Sequence, residues 1–113
     1  MNNKEITIKG KQYPVAFNMK TMINFEEIAD KSFFSENFKH MRDQIALILA
    51  AVLSADDKTA LTVDDLTSCD SQESVMEVIT AFVVVMDMAE KFFENPAVEP
   101  KDEKPADGEG AKN

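Results

Sequence analysis

Residues 71–94 place the strongest constraint on the fold. Val75, Ile79, Phe82, Met86, Ala89 and Phe93 recur at helical spacing, and Val78, Ala81, Val85, Met88 and Phe92 form a second stripe beside them. A helix lying on the surface of a domain needs only one such stripe. Two stripes require either a chain that wraps most of the helix or a partner that covers what the chain leaves bare. Asp70 followed by Glu73 resembles a capping box, so the helix is expected to run from about Ser71 to Glu94.

Upstream, the apolar period starts at two. Glu5 to Lys9 alternates, and Tyr13, Val15 and Phe17 share one face of the following segment, with Gly10-Lys11-Gln12 as the turn between them. This predicts a β-hairpin with Ile6, Ile8, Tyr13, Val15 and Phe17 on its apolar side. Pro14 lacks an N–H and suits an edge strand, and a strict two-residue turn at this point would demand a ladder bond from it, so the register stays open. A lone hairpin is marginal in water and has to pack on something. The period then becomes helical. Asn18 is a plausible N-cap for a helix over Met19 to Asp30, with Met22, Phe25, Ile28 and Ala29 on one face. Ser35 can cap a second helix from about Glu36 to Ala55, whose Ile45–Leu53 run is apolar on all sides and therefore buried on most of them. Thr62 starts a short helical turn through Leu66. The fold class is α+β: an N-terminal β-hairpin packed on a mainly helical body of three main helices.

From Asn95 the pattern stops. Pro96, Pro100 and Pro105 punctuate a stretch of Glu, Asp, Lys, Ala and Gly with no aromatic residue. Such a segment cannot bury enough apolar surface to offset its ordering entropy. The expected organisation is one hairpin-plus-helices domain over 1–94 and a disordered, charged, acidic tail over 95–113. Nine basic and sixteen acidic residues precede residue 95, giving −7, and three and five follow it, giving −2.

At 113 residues the chain supports one core and little room for a deep catalytic cleft. Its net charge of −9 argues against general binding to nucleic acid or to an anionic membrane. The single cysteine, Cys69, rules out an intrachain disulfide and points to a reducing compartment. No charged start followed by an apolar run suggests a signal peptide, and the longest apolar runs are far short of the roughly 20 residues of a membrane span.

Chemistry-bearing constellations are sparse. His40 is the only histidine and sits beside Lys39 and Arg42 on a polar helix side. Cys69 precedes a helix, a position that can lower a thiol pKa, yet it has no second cysteine to resolve it. Glu26-Glu27 and Asp64-Asp65 are adjacent pairs, and adjacent helical residues do not face each other. The calcium-loop glycine and glutamate and the phosphate-loop pattern are missing. The sequence therefore predicts no catalytic residue, no metal site, no cofactor and no enzyme. Seven methionines (Met1, Met19, Met22, Met41, Met76, Met86, Met88) suit either an adaptable binding surface or ordinary core filling.

Ile6-Thr-Ile-Lys-Gly-Lys-Gln-Tyr-Pro-Val-Ala-Phe17, followed by Phe25-Glu-Glu27, resembles the tail assembly chaperones of long-tailed bacteriophages and prophages. Many of these open with an I-x-G-K-x-Y-P-V-x-F hairpin and then a helix with an acidic patch. The similar stretch covers about a fifth of the chain. The resemblance implies a protein of the host cytoplasm that is absent from the finished virion, coats the hydrophobic tape measure protein, and yields to tail tube protein as the tube polymerises. Tape measure protein and tail tube protein are the partners it implies. Two other readings stand beside it: a minor structural head–tail or tail component of the virion, and an acidic adaptor or antitoxin-like protein that neutralises a basic partner.

The expectation is thus a small, soluble, intracellular binding or assembly protein without turnover. Val78, Val85, Met88 and Phe92 on the last helix, with Tyr13 and Phe17 on the hairpin, are the candidate partner-binding residues, and the last helix also offers a route to self-association. Each of the six could instead be core.

Overall fold

The structure, a computed structural model, describes residues 4–35 and 38–94. The expected tail over 95–113 lies outside the described residues. The elements run β1 (Lys4–Ile8), β2 (Lys11–Val15), α1 (Met19–Ala29), a 3-10 turn (Phe33–Ser35), α2 (Met41–Ala55), α3 (Val63–Thr67) and α4 (Gln72–Glu94). An antiparallel N-terminal hairpin therefore packs on a helical body, the α+β architecture that the change of apolar period implies.

The hairpin turn is Lys9-Gly10, one residue earlier than the sequence suggests. Both residues are left-handed, with φ 52° and 80°, the twist that a two-residue hairpin turn requires. Nothing lies within 4 Å of a Cβ added at Gly10, so glycine is there for its backbone alone. This register pairs Ile8 with Lys11, Ile6 with Tyr13, Glu5 with Pro14 and Lys4 with Val15. Antiparallel pairs alternate between hydrogen-bonded and non-hydrogen-bonded, and the pair closing the turn is bonded. Glu5–Pro14 is then a non-bonded pair, and the missing N–H of Pro14 costs the ladder nothing. The same alternation turns the Ala16 N–H outward, where it donates to Ala51 O of α2 at 3.2 Å. Ile6, Ile8 and Val15 form the buried side of the hairpin; β2 lies against α2 and β1 against α4.

α1 begins where Asn18 predicts. Asn18 Oδ1 accepts from the N–H groups of Lys20 and Thr21, at 2.9 and 3.3 Å, and Thr21 Oγ1 accepts from Asn18 N–H at 3.0 Å. Thr21 also ties α1 to its neighbours. It is fully buried, with Oγ1 3.0 Å from Ala16 O and 2.6 Å from Ser54 Oγ of α2. Thr21→Val keeps the shape and strands these partners, so it should cost about 1–3 kcal/mol in a urea melt. An unchanged midpoint would show that water replaces the hydroxyl.

α2 starts at Met41, not near Glu36, and its N-cap is His40 rather than Ser35. The reason is Phe38, whose φ of 57° cannot belong to a right-handed helix. Its ring is buried against Phe25, Phe33 and Phe82, and its carbonyl accepts from Gln44 Nε2 at 2.9 Å. The ring's burial sets the backbone there. Eight consecutive residues of α2, Ile45 to Val52, are buried, as an apolar run on all sides requires. α3 has the expected Thr62 cap, in a box closed by Asp65. At α4 the cap moves by one residue: Ser71 and Ser74, not Asp70 and Glu73, exchange side-chain and main-chain bonds at 3.1 and 3.3 Å.

Candidate binding surface

α4 decides which apolar residues remain outside. At roughly 100° per residue its apolar positions span an arc of roughly 280°. β1 and α2 cover only part of that arc. Val78, Ala81, Val85, Met88 and Ala89 are buried in the core. Val75, Met76, Ile79 and Val83 are exposed, Val83 at 59%. Met86 is half-buried on the same flank. The last helix therefore buries most of the second stripe and leaves Val75, Ile79 and Phe93 of the first exposed, with Met76 and Val83 beside them.

This places the six candidate residues. Val78, Val85 and Met88 are core and offer nothing to a partner. Phe17 is buried among Phe33, Phe92 and Phe93, with ring centroids 5.5–5.9 Å apart. Phe92 and Tyr13 are half-buried and pack against the core. The binding surface that the excess apolar arc implies lies on the neighbouring flank, at Val75, Met76, Ile79 and Val83. The first stripe contains Val75 and Ile79, but Met76 and Val83 belong to neither stripe, and which side of α4 is covered follows from its packing angle.

A second exposed feature comes from the phenylalanines. All eight form one connected network of rings, running from Phe25 and Phe38 in the core through Phe33 and Phe17 to Phe92 and Phe93. It reaches the surface at Phe34, 74% exposed, and Phe93, 53% exposed, whose ring centroids lie 6.1 Å apart. The 3-10 turn explains the split at residues 33 and 34: Phe33 points into the core and Phe34 away from it. Phe34 falls between the two helices that the sequence predicts over Met19 to Asp30 and from about Glu36, outside either apolar period. Adjacent aromatic residues in so short a turn cannot both face inward, which is the signal that could have found it. Phe93 also lies one full set of turns from Val75 on α4, so the exposed flank and the aromatic outlet share one line of about 27 Å at 1.5 Å per residue.

The chemistry-bearing residues stay apart from this surface. His40 is exposed at the start of α2 and makes no side-chain cap bond. Cys69 is half-buried, with Sγ 3.6 Å from Leu66 O. Among the described residues no group of three or more His, Cys, Asp or Glu side chains could hold a metal ion, and no helix is long and apolar enough to cross a membrane. Asp43, buried in the first turn of α2, is paired with Lys31 at 3.3 Å. Around the exposed flank, Lys91 is held by Asp87 at 3.3 Å, and Glu90 and Glu94 add acidic charge. The surface is thus an apolar band with an acidic border and no reactive group. No family model matches this chain, and no curated protein or solved structure matches it.

Proposed function

We propose that the protein is a non-enzymatic binding partner that shields apolar helical segments of another protein, in the manner of the phage tail assembly chaperones its hairpin motif resembles. The observation that carries this reading is the exposed band Val75–Ile79–Val83, continued at the Phe34–Phe93 outlet. An amphipathic partner helix presents anchors at i, i+3, i+4 and i+7, and a band of this length accepts about five turns of it. Met76 and Met86 border the band, and methionine adapts to many apolar sequences. The net charge of −9 would keep such a complex dispersed. On this reading tape measure protein is the partner, tail tube protein its successor, and the host cytoplasm the place of action.

Ile79→Asp with Val83→Asp tests the band. Both side chains already face solvent, so the double variant should keep its helix content and melt within a few degrees of the parent. Its capture of an immobilised amphipathic segment of the tape measure protein should fall at least tenfold. Capture that survives both charges would place binding elsewhere and remove the reading's support.

A further inference from the structure

The two outer edges of the hairpin differ. Beside β2, Ala16 N–H donates to Ala51 O of α2 just past the strand, and Pro14 has no donor to offer. β1 packs along α4, yet among the described residues no main-chain hydrogen bond joins the outer edge of the strand to the helix. At the turn, Lys9 N–H donates to Glu77 Oε1 at 2.6 Å, and Lys9 Nζ to Ser68 Oγ at 2.6 Å, which pins the tip of the hairpin. Further along, the register turns the main-chain groups of Glu5 and Thr7 outward, and among the described residues no hydrogen bond reaches them. A cleft of about 380 Å³ opens there, between Glu5, Ile6 and Thr7 on the strand and Met76, Ala81 and Val84 on the helix. Its floor is apolar. Its rim carries the carboxylates of Glu5, Glu73 and Glu77, of which Glu5 and Glu73 have no ion pair or hydrogen bond among the described residues.

We propose that this cleft takes an extended, lysine- or arginine-bearing segment of a partner protein as a third strand on β1. The open main-chain groups of Glu5 and Thr7 supply the ladder. Three residues of added strand, roughly 10 Å, match the Glu5–Thr7 stretch. Side chains alternate along a strand, so one set packs on Met76 and Val84 while the other reaches the rim carboxylates. Charge selects the occupant. A second copy of this chain would bring its own Glu5, Glu73 and Glu77 against the first set, within molecules of net charge −9. A basic segment gains where a second copy loses. The cleft shares Met76 with the exposed flank of α4 but includes neither Ile79 nor Val83, so substitutions at those two positions tell the two surfaces apart.

The test is a titration of the full, isotope-labelled chain with a capped Lys-Val-Lys-Val-Lys-Val peptide, read by amide hydrogen exchange and resonance shifts. Exchange at Glu5 and Thr7 should slow at least tenfold, and Ala81 and Val84 should shift. N-methylation of the peptide's edge-facing amides should abolish the slowing. A Glu-for-Lys peptide, and the variant Glu5→Lys with Glu73→Lys, should each weaken binding at least tenfold. The Ile79→Asp, Val83→Asp variant should bind the peptide as the parent does. The proposal is overturned if saturating peptide leaves Glu5 and Thr7 unprotected, if the N-methylated or acidic peptide binds equally well, or if protection appears in the protein alone as its concentration rises, which would mark a second copy as the occupant.

Discussion

Replacing Val85 with Asp, alone or with Met88→Asp, should leave the protein unfolded at 25 °C. Val85 is 0% exposed and Met88 is buried one turn further along α4, between the hairpin and α2. A carboxylate there has no partner within the core. Its burial costs at least 4–5 kcal/mol, or the fold opens to hydrate it. A small domain has only about 5–15 kcal/mol in total. Far-UV circular dichroism and a thermal melt give the answer. A variant with parental helix content and a midpoint within a few degrees would mean that this stripe is not core, and would return Val78, Val85 and Met88 to the list of contact residues.

Phe25→Ala should produce the next largest loss, about 3–5 kcal/mol. Phe25 is among the largest fully buried side chains, and its ring meets Phe33 at 5.8 Å and Phe38 at 5.3 Å. Removing it leaves a cavity at the joint between α1, the 3-10 turn and the left-handed Phe38. That position holds its unfavourable backbone only because its ring is packed. At about 4–8 °C per kcal/mol for a domain of this size, the melting midpoint should fall by at least 12 °C. A drop of less than about 5 °C would show that the network collapses onto the vacancy.

The elements that were legible in the sequence are those set by local chemistry. Asn18 and Thr62 cap their helices because a short polar side chain before an apolar period has few other uses. The hairpin motif was legible for the same reason. Ile8, Val15 and Phe17 are buried, Gly10 is left-handed, and Pro14 stands at a non-bonded position. Each residue of the I-x-G-K-x-Y-P-V-x-F pattern so described serves the fold, which is why the pattern says more about architecture than about partner. What was not legible depends on long-range packing. The start of α2 is set by Phe38, whose ring meets rings from α1, the 3-10 turn and α4. The buried side of α4 is set by the angle at which it crosses β1 and α2, and both of its stripes are equally apolar. The open edge of β1 depended on a turn placed one residue earlier than composition suggests. A one-residue shift exchanges which main-chain groups face out.

The most direct measurement is co-expression of this chain with a tape measure protein of a long-tailed phage, the partner class proposed for it, followed by size-exclusion chromatography with light scattering. The expected result is a soluble complex from a tape measure protein that is insoluble alone, lost when Ile79→Asp and Val83→Asp are introduced together into a chain that still folds. A tape measure protein that remains insoluble beside the parental chain, with this protein eluting by itself, would contradict the shielding function.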